Sequence, residues 1–196
     1  RTARVLLENT SMSAGDVAFA AGFGSVRQFN DTIREVYAAT PGDLRRGHPE
    51  PGAISLRLAT RRPFAGDVLL RFLGQRAIPG VETWDGVTFT RTLRLPRGTG
   101  HAAITAQEDH CRVELRIEDV RDLAPAVSRL RRMLDLDADP QAISEVLGET
   151  LPVARIPGLR SPCGFAPAET AIRAVLGQQV SVAAARTAAG RLARHG

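Results

Sequence analysis

The sequence predicts an α+β multidomain chain: a helix-turn-helix bundle, then an antiparallel sheet with helices on one face, then the start of an all-α unit. Three observations predict it. A Gly-x-Gly turn separates two capped amphipathic segments near the N-terminus, apolar residues alternate in twos in several runs between residues 54 and 117, and helical spacing fills residues 165–196.

In the first unit, Ser13 with Asp16 three positions later is a capping-box-like start for a helix beginning at Ala14, whose Val17, Ala20 and Ala21 share a face. Gly22 suits a left-handed C-terminal cap, and Gly24 turns the chain again before Ser25, which caps a second helix with Gln28 three residues on. Val26, Phe29, Ile33, Val36 and Tyr37 form the buried stripe of that helix, leaving Arg27, Asn30, Asp31 and Arg34 on the other face. Thr40, Pro41 and Asp43 predict a third short helix. Two short helices around a glycine turn are the outline of a DNA reader, although the pattern also occurs in helical domains with no such role.

Residues 47–52, GHPEPG, carry two glycines and two prolines and read as a linker. Beyond them Ile54, Leu56 and Leu58 alternate with Ser55, Arg57 and Ala59 as in a strand. Val68, Leu69, Phe72 and Leu73 then fall at helical spacing within residues 63–75. Residues 81–84 and 87–95 flank Asp85-Gly86, the favoured dipeptide of a two-residue hairpin turn. Residues 102–106 and 111–117 add two strands, and Val120, Leu123, Val127, Leu130 and Leu134 line the inner face of a closing helix. The order strand, helix, four strands, helix gives an antiparallel sheet covered on one side.

In the last unit, Pro167 and Glu169 start a helix that buries Ala171, Ile172, Val175 and Leu176 and stops at Gly177. Ser181 caps a second helix running to about Arg194. Gln178 and Gln179 are thereby displayed on a tight corner, beside the free amides of a helix N-terminus that suit a phosphate.

The 196 residues carry a net charge of +5, with every basic residue an Arg and no Lys. Residues 1–50 and 51–150 each balance to zero, while 151–196 hold six Arg against Glu169 alone. A phosphate-facing surface is therefore most economically placed at the C-terminal end. Cys111 and Cys163 show no metal-type spacing and read as free thiols of a reducing cytoplasm; His101, His110 and Cys111 read as a polar turn and strand end rather than ligands. No signal peptide and no apolar run of membrane-spanning length is present, so a cytoplasmic protein with no membrane partner is expected.

The segment A-F-A-A-G-F-G-S-V-R-Q-F-N-D-T-I-R at 18–34, followed by T-P-G-D-L-R, resembles the second helix-turn-helix of AraC/XylS-type regulators, above all the Ada-type members. The resemblance implies double-stranded DNA as partner, with Ser25, Arg27, Gln28, Asn30 and Arg34 as its contacts. Residues 2–10 then correspond to the tail of the family's linking helix, so residues 1–46 are expected to be the second half of that unit. The stretch P-F-A-G-D-V-L-L-R-F-L-G-Q-R-A-I-P-G-V-E at 63–82, with L-D-L-D-A-D-P at 134–140, resembles the N-terminal domain of the bacterial alkylated-base DNA glycosylases, whose sheet is TATA-binding-protein-like. The stretch A-I-R-A-V-L-G-Q-Q-V-S-V-A-A-A at 171–185 resembles the opening of their helix-hairpin-helix catalytic domain.

These resemblances imply a sheet domain over 53–139, a glycosylase helical domain starting at 140–196, and an internal piece of a fused regulator and repair enzyme. The parent would excise alkylated purines such as 3-methyladenine from alkylated DNA by N-glycosidic hydrolysis, as a monomer and without metal or redox cofactor. Gln178, Gln179 and Ser181 match the DNA-facing corner, with Gln179 at the position that enters the vacated base stack; the best-known members carry an apolar residue there. Phe72 matches an aromatic of the base pocket, while its own spacing also fits core packing with Val68 and Leu69. No catalytic residue is assigned, because no Asp follows Asp139, and the chain itself is expected to be inactive. The alternative is an AraC-type regulator whose α+β domain binds a small effector without catalysis.

Overall fold

The computed structural model describes residues 3, 6, 7, 12–37, 53–147, 151 and 156–195, of which 34–37 by backbone alone. The expected third helix after Thr40 and the linker at 47–52 lie outside the described residues.

Helix α1 (Ala14–Ala20) begins as its cap signals predict: the Ser13 hydroxyl accepts the Asp16 amide, and Val17 and Ala18 are buried. It ends in a Schellman turn, with Gly22 N donating to Phe19 O at 3.0 Å and Phe23 N to Ala18 O at 2.9 Å. Gly22 takes φ 85°, a conformation that costs a side chain with Cβ about 1–2 kcal/mol. Helix α2 (Val26–Tyr37) starts at Ser25, whose Oγ accepts the Gln28 amide at 3.2 Å. Phe29 and Ile33 are buried, and Phe23 meets Phe29 edge-on at 5.4 Å between centroids.

The sheet contains β1 (Ile54–Ala59), β2 (Glu82–Trp84), β3 (Phe89–Arg94), β4 (Thr99–Ala106) and β5 (His110–Ile117) in the order β1-β5-β4-β3-β2, all antiparallel. Alternate residues, among them Leu56, Leu58, Phe89, Leu93, Ile104, Val113 and Leu115, point inward and are buried. Helix α3 (Gly66–Gln75) lies against β2, β3 and β4, and α4 (Leu123–Met133) closes the unit after a 3₁₀ turn at Val120–Asp122. The core face of α4 is Leu123, Ala126, Leu130 and Met133; Val127 is only half-buried.

Three local expectations are corrected. The β2–β3 connection is a four-residue loop, because Trp84 pairs with Phe89; Asp85 Oδ1 accepts the amides of Val87 and Thr88 and so holds a wider turn than two residues allow. On α3 the core positions are Leu69 and Leu70, and Phe72 is 42% exposed. The helix is turned so that Gly66 and Gly74 face inward; a Cβ on Gly74 would lie 2.2 Å from the Trp84 ring, so Trp84 occupies the space beside the helix.

The third correction concerns α6 (Pro167–Leu176), which follows α5 (Pro140–Leu147) in the chain. It buries no residue, and Ile172 and Val175 are 45% and 69% exposed. Its apolar stripe is real, but among the described residues no element covers it. Helix α7 (Val182–Ala193) starts at Ser181, whose Oγ accepts the Ala184 amide at 3.2 Å. Gly177 caps α6 in a right-handed conformation, φ −85°, and the left-handed residue of the corner is Gln179, φ 56°.

Candidate nucleic-acid interface

The corner between α6 and α7 leaves Gln178, Gln179 and Ser181 exposed. A glutamine held at positive φ stores backbone strain that the flanking helices must offset, which makes Gln179 conformationally special in the way functional residues often are. On α2, Arg27 and Gln28 are exposed. Gln28 is partly engaged, since its Oε1 accepts the Gly24 amide at 3.3 Å. Asn30 is half-buried and its Oδ1 has no hydrogen-bond partner; Arg34 lies within α2, its side chain outside the described residues.

The residues between sheet and corner form a buried charge network. Arg91 projects inward from β3, its side chain 3% exposed, and its Nη1 donates to Glu82 Oε1 at 3.2 Å. Its Nη2 donates to Glu169 Oε2 at 2.8 Å. Arg173, one turn along α6, donates to Glu169 Oε1 and to Glu82 Oε1, both at 2.7 Å. The Arg91 guanidinium also lies 4.6 Å from the centroid of the buried Phe165 ring. Burial alone would raise the Glu169 carboxyl, but Arg91 and Arg173 outweigh it and hold the group below its ordinary 4.5. Burial would lower Arg173, and Glu82 and Glu169 reverse that into a rise.

Glu169 is thus a first-turn carboxylate, as its position implied, and also the link between α6 and the sheet. Sequence reasoning missed Glu82, Arg91 and Arg173. The signal was available: Arg91 falls between Phe89 and Leu93 at an inward position of an alternating strand, where a charge requires buried partners.

The segment 156–165 ties the same side of the molecule together. Arg160 donates to the carbonyls of Gly158, Arg61 and Pro63, while Ser161 N donates to Asp135 Oδ2 and Cys163 N to Met133 O. Between this segment, α3 and α5 lies a largely apolar cavity of about 430 Å³, walled in part by Val68, Phe72, Ile143 and Leu159. Phe72 also borders a smaller cavity of about 170 Å³, whose lining includes Glu82, Arg91 and Glu169. The Arg76 guanidinium lies over the Phe72 ring, 3.7 Å from its centroid. Phe72 is thus half-exposed, bordering two cavities with one ring face covered by Arg76, rather than buried in the core.

The family model of the AlkA N-terminal domain matches residues 55–166, more than half of the chain. The chain belongs to this family. A helix-turn-helix domain model matches residues 1–47, agreeing with the AraC-type likeness of that segment. The chain is 48% identical over 204 aligned residues to the "Probable bifunctional transcriptional activator/DNA repair enzyme AlkA" of Mycobacterium tuberculosis, covering 98% of this chain and 41% of that protein. It is 35% identical over 136 residues to the "DNA-3-methyladenine glycosylase 2" of Escherichia coli K12, covering 67% of this chain and 47% of that protein. The chain thus spans less than half the length of either relative. The 3-methyladenine DNA glycosylase of Archaeoglobus fulgidus shares the fold, with a TM-score of 0.58 at 16% identity over 69% of this chain and 48% of that one. The AlkA-type sheet and the helix-turn-helix thus occur together in one chain, and no helix among the described residues is long and apolar enough to cross a membrane.

Proposed function

We propose that this chain supplies the helix-turn-helix and sheet domains of a fused alkylation-response protein that binds DNA and removes alkylated purines by hydrolysing the N-glycosidic bond. The observation that carries the reading is the corner: two consecutive exposed glutamines, the second at φ 56°, between two helices in an AlkA-type chain. Extruding a base costs a few kcal/mol of stacking, and a side chain entering the gap offsets part of that. Gln179 enters the gap on this reading, and its amide adds hydrogen bonding to the orphaned base where an apolar wedge offers only contact. Gln178 and Ser181 flank it, and Ser25, Arg27, Gln28, Asn30 and Arg34 of the first unit meet the groove.

Phe72 is the aromatic on which an electron-poor alkylated purine stacks. No Asp follows Asp139 in this chain, so the carboxylate that would stabilise positive charge on the sugar is not supplied by residues 140–196. On this reading the 196-residue chain binds duplex DNA as a monomer and releases no base. The test compares methylated-base release by this chain with release by a protein extended to the length of the mycobacterial relative. Release by the extended protein alone is expected; release by the short chain, or by neither, contradicts the reading.

One observation favours a second reading, an AraC-type regulator with a small effector. The apolar cavity of about 430 Å³ falls in the size range of small-ligand sites. Saturable binding of an apolar small molecule there, with no affinity for duplex DNA, would support it.

A further inference from the structure

Three arginines from separate elements line one cavity of about 220 Å³ beneath the α6–α7 corner. Arg76 follows α3, Arg173 belongs to α6 and Arg186 to α7. The other walls are mostly apolar, Ile78, Val182 and Ala189 among them, and no carboxylate of the described residues lines the space.

The three charges are not equally compensated. Arg173 is neutralised within the network of Glu82, Arg91 and Glu169, two acids against two bases. Arg186 uses only Nε, which donates to Ala77 O at 2.9 Å. Arg76 donates Nη1 to Phe72 O at 3.2 Å and lies on the Phe72 ring. Among the described residues neither Arg76 nor Arg186 has a carboxylate within ion-pair distance. Two positive charges thus face an apolar-walled recess that no carboxylate of the described residues lines, although Arg76 also borders the smaller cavity that Glu82 and Glu169 line. Desolvating such charges is costly unless an anion joins them, and guanidinium forks match the oxygens of a tetrahedral oxyanion.

We propose that this cavity is a phosphate-binding site, occupied by a backbone phosphate of DNA beside Gln178 and Gln179 or by the phosphate of a free ester. That the phosphate belongs to DNA rests on the function proposed above; that the cavity takes a phosphate does not.

The test uses Arg76→Gln, Arg186→Gln and the double variant of the 196-residue chain, with Arg132→Gln on the exposed side of α4 as a remote control. Circular dichroism and emission from Trp84, the single tryptophan, check folding. Duplex affinity is measured across a salt series, and binding of inorganic phosphate and AMP by calorimetry. A DNA phosphate in the site predicts that the slope of log K against log salt shrinks by about one in the double variant and is unchanged in Arg132→Gln. AMP or phosphate binding that the double variant loses, with an unchanged duplex slope, keeps the site and excludes the DNA source. The same arginine-dependent binding by a chain with no duplex affinity keeps the site and overturns the proposed function. Unchanged slopes with no binding of phosphate or AMP overturn the proposal, and the single variants give the same reading if the double variant does not fold.

Discussion

Arg91 of β3 and Glu169 of α6 are 78 residues apart in sequence and meet at 2.8 Å, Nη2 to Oε2. Through this contact, and the Arg173–Glu82 contact at 2.7 Å, the sheet holds the helix that leads to the glutamine corner. The core alone does not hold it, because α6 buries no side chain of its own.

Replacing Arg91 by Ala leaves the buried Glu82 carboxylate, 4% exposed, without its Arg91 partner. Losing one partner of a buried pair costs about 3–5 kcal/mol, far above the 0–1 kcal/mol of an exposed pair such as Arg71–Asp67. Chemical denaturation should therefore show a large loss for Arg91→Ala and little change for Arg71→Ala. Equal small effects would mean that the network contributes nothing to the fold.

The Glu169 carboxyl is held below its ordinary 4.5, so its proton affinity is lower in the folded than in the unfolded chain. Its contribution is then fully present above about pH 4.5 and is lost as pH falls through the lower folded value. The stability gap between wild type and Glu169→Gln should be constant near neutrality and narrow on acidification below that point. Thermal unfolding in a pH series measures it, and a gap that widens in acid would contradict the network's polarity.

Cys111 is buried and Cys163 exposed. Burial pushes the Cys111 thiol up to about 12, with Arg131 and Arg160 only partly opposing it. A thiol reagent should thus modify one cysteine of the native chain, at Cys163, and both only after unfolding. Mass spectrometry of the labelled native protein locates the adduct; labelling at Cys111 would show that the sheet opens.

The elements were legible where local chemistry decides them. Ser13, Ser25 and Ser181 cap the helices they were expected to cap, and the alternation of Cys111, Val113 and Leu115 marks the inward face of β5. What escaped depends on neighbours distant in sequence. The rotation of α3 is set by Trp84 against Gly74, which exchanges Phe72 for Leu70 in the core. The Arg76, Arg173 and Arg186 cavity requires three elements to converge, and no spacing within one of them announces it. The corner itself was foreseen from Gly177, yet the left-handed turn falls at Gln179, a residue type that gives no such signal.

Under the proposed function, this chain reads DNA through both the helix-turn-helix and the glutamine corner. Fluorescence anisotropy of the 196-residue chain with labelled duplexes, one undamaged and one carrying an abasic site, tests it most directly. Salt-dependent binding to both is expected, tighter on the abasic duplex, with that preference lost in Gln179→Ala while affinity for the undamaged duplex is kept. Equal affinity for the two duplexes, unchanged by Gln179→Ala, would contradict it.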